Sequence, residues 1–450
     1  MMVDLSEGKV SSQIWRFSIP IFASALFQKF YVIADSVIAG RYLGEDGLAA
    51  TGTIYPIMMT FMAIAFGSNI GCSVLISQIF GEKKFGALKT AIYTSMILVT
   101  FVSVIIMMLG LVSSDFLMER IRVPDNIYQD AGIYLKIYMA GFVFLCLYNV
   151  STGIFTALGD SKTSLKLLVI SSVINIILDL VFINLHMGVP GLAIATFMAQ
   201  GFVCILSGVL FWKKLKLVLD TEEPYEVFSL SMAAKISRIA IPSIIQQGIV
   251  SIGDVFMQAI VNGYGSAVIA GYSAGIKLNI FSIAGFSALG SGISSFTAQN
   301  IGAEKEERIK KGAFIGVIMA LIVAVPFFTA FFFFPAAFLN LYLSDKSADV
   351  ISAGCRFLKI TTPFYFIISL KVVADGVLRG AGAMKYVLIV TLADFIVRVI
   401  AVIFLSVNLK LEGVFISYPI GWTIGLIMSY MFYLLGVWRK SKQVGRDWLK

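Results

Sequence analysis

Nine charged side chains lie inside long apolar stretches of this chain: Lys29, Asp35, Asp179, Asp254, Lys277, Lys371, Asp375, Asp394 and Arg398. A charge held away from water is costly, and it persists where it pairs with another or handles an ion or substrate. Lys371 and Asp375 are four residues apart, as are Asp394 and Arg398, which puts each couple on one helix face. These four can neutralise one another as a structural cluster, or serve a substrate or coupling ion. Asp35 and Asp179 have no basic residue three or four positions away. Each lies six or seven residues before the end of its stretch, which at 1.5 Å per residue is a depth of about 9–10 Å. Thr196 reaches the same depth in the following stretch, and Asn175 is one turn from Asp179 on the same face. Two carboxylates at one level with an amide and a hydroxyl form a proton or cation site, because two carboxylates sharing a site cannot both stay ionised cheaply. The other arrangement has the two aspartates facing different ways. Lys29 is too far from Asp35 for a direct helical pair, and Lys277 is a candidate partner for Asp254.

The elements that must position these residues follow from composition. Of 450 residues, 58% are apolar and 14% charged, against roughly 25% charged in soluble proteins. That excludes a soluble enzyme, a disordered chain and a nucleic-acid-binding protein, and it predicts an all-α polytopic membrane protein. Twelve spans are read at approximately 14–40, 52–79, 90–112, 132–158, 164–185, 189–212, 239–263, 272–299, 312–334, 357–380, 386–407 and 413–437. An even number puts both termini on one side. That face carries 23 of the 35 Lys and Arg, the opposite face 8 and the spans 4, which predicts cytoplasmic termini in a multi-pass plasma-membrane protein. The net charge of +9 is this loop excess. Cys72, Cys146, Cys204 and Cys355 lack metal-ligand spacing and read as packing residues. The lone His186 falls in an outer loop. Asp4 and Glu7 precede an apolar segment too long for a signal peptide, so no cleavable signal is expected.

The chain repeats itself at an interval of 221 to 223 residues. "QIFGEKK" from Gln78 matches "QNIGAEK" from Gln299, and "GIFTALGDSK" from Gly153 matches "GVLRGAGAMK" from Gly376. Pro20 pairs with Pro242 and Gly71 with Gly292. Six spans per interval predict two six-helix lobes related by a parallel repeat, with a cleft between them that rocking would open alternately to each side. The expected division is an N-terminal lobe at 1–212, a cytoplasmic linker at 213–238 and a C-terminal lobe at 239–450. Pro190 and Pro335 read as helix starts, whereas Pro20 and Pro242 recur inside spans and are candidate bends. Gly67 and Gly71 form a close-packing GxxxG.

With these features the chain resembles the multidrug and toxic compound extrusion (MATE) family over nearly its whole length. The resemblance rests on the two six-span lobes, the "QIFGEKK"/"QNIGAEK" pair and "ALGDSK" after span 4. The segment "IPIFASALFQKFYVIADSVIAGRYLG" is similar to span 1 of the prokaryotic branch named for a DNA-damage-inducible member. The resemblance implies a cation-binding carboxylate at Asp35, with Pro20, Gln28 and Tyr31 at matching positions before it. It also implies an Asn-xxx-Asp pair at Asn175 and Asp179, with Thr196 beside them. The branch's span 4 asparagine falls on Thr152, with Asn149 one turn away. The glutamate that other branches carry in span 7 has no counterpart, since that span offers only Gln246, Gln247 and Asp254.

The implied function is secondary-active efflux, without enzymatic chemistry or a cofactor. Amphipathic, often cationic, drugs or toxic metabolites would leave in exchange for H⁺ or Na⁺. Asp35, Asp179, Asn175 and Thr196 would handle the ion. Pro20, Gln28, Tyr31, Asn149 and Thr152 would line or gate the cavity. Asp254, Lys371, Asp375, Asp394 and Arg398 are the second-lobe candidates. The expected partners are small molecules and lipid, with no nucleic acid, and the expected state is a monomer. The alternative, a lipid-linked oligosaccharide flippase of related architecture, calls for a strongly basic cavity, whereas two of the four intraspan cations have acidic neighbours.

Overall fold

The protein's structure, a computed structural model, describes residues 3–219, 223–341 and 347–439, with the side chains of 34–37, 39, 45, 46, 48, 214, 215 and 217–219 outside that description. Its secondary structure is helical throughout the described residues. The first half contains α1 (Val10–Gly81), α2 (Phe85–Arg120), α3 (Asp125–Ala140), α4 (Phe142–Ala157), α5 (Ser161–Asn184) and α6 (Gly188–Leu219). The second half contains α7 (Leu230–Val261), α8 (Ser266–Gly302), α9 (Glu306–Phe333), the short α10 (Pro335–Leu339), α11 (Ala348–Thr361), α12 (Tyr365–Gly380) and α13 (Met384–Leu434). Nine described helical stretches are long and apolar enough to cross a membrane, and α3 with α4, bent by 48°, makes a tenth. α1 holds two spans around its break at Gly44, and α13 holds two around Lys410. The chain is therefore a multi-pass membrane protein, and the breaks in α1 and α13 divide its described helices in the way the twelve-span reading expects. Pro190 lies in the first turn of α6 and Pro335 opens α10, as the helix-start reading expects.

The internal repeat is visible in the backbone residue by residue. Left-handed positions recur at the repeat interval: Gly44 with Gly265, Lys83 with Glu304, Gly159 with Gly382 and Gly188 with Lys410. Each pair closes the same turn between the same two spans of its half. Lys410 holds at φ 48° a conformation that its counterpart reaches as a glycine, which costs a side-chain-bearing residue roughly 1 kcal/mol or more.

The described chain forms two compact units, one of residues 1–4 and 23–244, the other of 5–22 and 245–450. This differs from the division expected at 212 and 239. The first correction concerns the linker, which is helical at both ends. "WKKLKLVL" contains nothing that breaks a helix, so α6 continues to Leu219, and α7 begins at Leu230, directly after Ser229. The remaining segment is bonded to the start of α2. The Glu223 carboxylate accepts from the Gly86 N–H at 2.6 Å, and the Thr90 and Thr94 hydroxyls accept from the Glu226 and Ser229 N–H groups at 2.9 and 3.0 Å.

The second correction concerns the opening stretches of α1 and α7. Residues 5–8 are bonded to the "QNIGAEK" region of the second unit. Gln299 accepts from the Leu5 N–H at 2.8 Å, Lys305 donates to the Ser6 carbonyl at 2.8 Å, and Arg308 donates to the Gly8 carbonyl at 2.7 Å. The opening half of α7 packs in the first unit, where a Cβ on Gly71 would come within 2.6 Å of the Ala240 Cβ and 2.9 Å of its backbone. Gly71 is thus small because a helix backbone lies against it.

Gly71→Leu should therefore destabilise the protein by about 1–3 kcal/mol through overpacking, read as a lower melting temperature in detergent. Gly52→Ala, at a position with nothing within 4 Å, should melt like the parent. Equal melting of the two variants would contradict this packing.

Candidate functional site

α5 opens within "GDSK", at a capped start. The Asp160 carboxylate accepts from the Thr163 N–H at 3.2 Å and from its hydroxyl at 2.8 Å, satisfying donors that a helix N-terminus leaves free. Fourteen residues on, Asn175 is 2% exposed, and Asp179, one turn further, is fully buried. In the orientation that satisfies both ends of the Asn175 amide, its nitrogen donates to Asp179 Oδ2 at 3.2 Å and to the Tyr31 hydroxyl, and its oxygen accepts from the Thr196 N–H at 3.2 Å. One amide thus joins α1, α5 and α6 of the first unit around a buried carboxylate. The oxygens gathered there, from a carboxylate, an amide, a phenol and a threonine, suit a proton or a hard monovalent cation and not a soft metal.

The structure places the remaining first-unit candidates as follows. Asp35 lies on α1 outside the residues whose side chains are described. Gln28 is half-buried on α1, three residues before Tyr31. Asn149 and Thr152 are not bonded into the cluster: the Asn149 amide donates to the Leu145 carbonyl at 2.9 Å and the Thr152 hydroxyl to the Asn149 carbonyl at 2.8 Å. Asn69 on α1 donates to that same carbonyl at 2.8 Å, an interhelical bond that spacing alone does not reveal. Pro20 belongs to the stretch of α1 in the second unit.

In the second unit the two i,i+4 couples are formed. Lys371 Nζ meets Asp375 Oδ2 at 2.8 Å, and Arg398 Nη2 meets Asp394 Oδ1 at 2.8 Å, all four side chains being 7–14% exposed. α13 and α8 complete this cluster with residues that carry no charge. The Ser429 hydroxyl donates to Asp375 Oδ1 at 2.5 Å, and the Tyr272 and Tyr418 hydroxyls share a bond of 2.6 Å. Glycines let the charged side chains approach: a Cβ on Gly421 would overlap Asp394, and one on Gly425 would overlap Lys371. Asp254 is exposed on α7. Lys277 is also exposed.

Three comparisons extend these observations. The MatE family model matches residues 20–181 and 193–404. The chain is similar to two Bacillus subtilis proteins named probable multidrug resistance protein, YpnP at 28% identity and YoeA at 26%, each alignment covering 98% of both chains. Its fold is similar to a solved structure described as the outward-facing conformation of a multidrug resistance MATE family transporter of the MOP superfamily. That match has a TM-score of 0.90 and 23% identity, covering 98% of this chain and 99% of the other.

Replacing Asn175 by leucine removes the amide donor from a fully buried carboxylate. The expected loss is about 1–3 kcal/mol, read as a lowered melting temperature. Thr152→Val breaks a bond within one helix only and should shift melting far less. Similar shifts for the two would show that the Asn175 amide does not hold the cluster.

Proposed function

The chain belongs to the MatE family, and from that premise we propose that it is a secondary-active multidrug exporter coupled to the inward flow of H⁺ or Na⁺. The substrates are amphipathic, often cationic, compounds. The protein works as a monomer in the cell membrane with both termini in the cytoplasm, where the basic loops lie. The relatives named multidrug resistance proteins support the substrate class, and they do not favour the flippase alternative. The observation that carries the coupling reading is the fully buried Asp179, bonded through Asn175 to Tyr31 and Thr196.

A carboxylate in this setting is stable when a proton or cation neutralises it, or when a cationic substrate does. It cannot serve both at once. That exclusion converts two binding reactions into an exchange: ion entry from outside displaces the substrate, and substrate entry from the cytoplasm displaces the ion. Asp35, placed by the sequence at the same depth on the neighbouring span, is the second carboxylate of this site. Asn175, Tyr31 and Thr196 reorganise around whichever charge is present. Alternating exposure of the cleft, with α1 bending at Pro20, carries each species across. The loose fit needed for varied drugs comes from aromatic and methionine side chains, which repack around different shapes.

The test uses reconstituted vesicles with a proton gradient and a Na⁺ gradient imposed separately, following a fluorescent organic cation. Asp179→Asn and Asp35→Asn should each reach the membrane and lose gradient-driven export by roughly tenfold or more, within the 1–3 kcal/mol typical of site coupling. Export at the parental rate in both variants under both gradients would place coupling elsewhere.

A further inference from the structure

The repeat makes it possible to ask what the second unit carries where the first carries its ion cluster. α4 and α12 are both 16 residues long and begin 223 residues apart, which pairs Thr152 with Asp375. α5 and α13 also begin 223 apart, which pairs Asn175 with Arg398. The left-handed residues Gly188 and Lys410, 222 apart, pair Thr196 with Tyr418. The second-unit counterpart of the Asn175–Thr196 couple is therefore Arg398 with Tyr418, and these two also meet in space. The guanidinium lies over the Tyr418 ring, 4.9 Å from its centroid, while bonded to Asp394 Oδ1 at 2.8 Å. A carboxylate and an aromatic face are surroundings that suit a planar delocalised cation.

We infer that Arg398 is a tethered cation: its guanidinium stands where the first lobe has the Asn175 amide, and it permanently neutralises Asp394, which lies one turn before it, whereas the position of Asp179 itself is taken by Val402. Insofar as this concerns transport, it rests on the reading of Asp179 as an ion-handling residue. The first lobe holds its carboxylate with neutral partners and so exchanges its cation. The second lobe holds its carboxylate with a cation of the chain itself and exchanges none. Arg398 acts on transport by keeping Asp394 and Tyr418 in the occupied arrangement, as a positioning residue. Without it the site is a vacant receptor for a small guanidinium-type cation.

The site can be emptied and refilled. Arg398→Ala should melt at a lower temperature and transport about tenfold or more slowly, because Asp394 loses its partner. Guanidinium chloride at low millimolar concentration should raise the melting temperature of this variant and return transport to within about threefold of the parent. Potassium chloride or urea at the same concentration should do neither, and the parent should not respond. Adding Asp394→Asn to Arg398→Ala should abolish the guanidinium response. A guanidinium-insensitive Arg398→Ala, or a response that survives Asp394→Asn, overturns the inference.

Should Arg398→Ala not fold, Arg398→Lys and Arg398→Gln decide the matter. Lysine keeps the charge and should hold transport within about threefold, whereas glutamine keeps a hydrogen bond without charge and should lose about tenfold. Equal transport by the two would reduce Arg398 to a hydrogen-bonding strut and sink the proposal. Asp179→Asn, run alongside, separates the two readings. If it keeps gradient-driven export, the first-lobe reading fails, while the guanidinium response of Arg398→Ala stands or falls independently.

Discussion

Hydrocarbon offers no hydrogen bonds, so a polar atom carried into a span is costly unless the chain itself satisfies it. That cost shapes the interior of both units. Buried hydroxyls turn back to their own helix, as Ser95 does to the Ala91 carbonyl at 2.7 Å and Ser243 to the Ile239 carbonyl at 2.7 Å. In the second unit Lys371 and Asp375, and Asp394 and Arg398, meet one turn apart. Asp179, which has no such neighbour in sequence, is reached instead by an amide on its own helix that also binds α1 and α6. The helices stay long because an interruption would expose backbone groups, and the breaks inside α1 and α13 come at left-handed residues between successive spans.

The two units share backbone geometry more closely than they share chemistry. Four left-handed turns and the 16-residue α4 and α12 coincide at the repeat interval, which shows that connectivity is held in common. The polar side chains inside have separated. One unit gathers neutral oxygens around a carboxylate, whereas the other closes on paired ions beneath a group of aromatic rings, with Tyr272 stacked on Phe415 and edge-on to Phe357. A backbone duplicated in this way leaves the interior of each copy free to specialise, because the constraint concerns satisfaction of polar groups and not their identity.

Much of this was legible before the structure. The spans announce themselves through apolar length, the repeat through matched motifs, and the couples Lys371–Asp375 and Asp394–Arg398 through helical spacing. Asn175, Asp179 and Thr196 come together as depth counting expects, because rise per residue is fixed. What escaped depends on which face of one helix meets which face of another. Tyr31 entered as a cavity residue and proves to bond the central amide. Thr152 and Asn149 rest on the resemblance alone, and their side chains turn to backbone carbonyls. Ser429 and Tyr418 carry no charge and were passed over, although the interval already pairs Tyr418 with Thr196. The assignment of the opening stretches of α1 and α7 to units was hidden for a different reason: it depends on long-range contacts, whereas the polar linker suggested a local boundary.

That assignment bears on how such a chain arises. The polypeptide changes units between Phe22 and Ala23 in α1 and between Ile244 and Ile245 in α7, so each unit takes part of its opening helix from the other repeat. A half-length polypeptide carrying one repeat lacks a stretch that completes its own fold. Two copies can supply it to each other, as exchanging homodimers do. Fusing the copies end to end replaces a concentration-dependent association with a covalent one. It also releases the two sequences from having to be identical, and a site built differently in each half then becomes heritable.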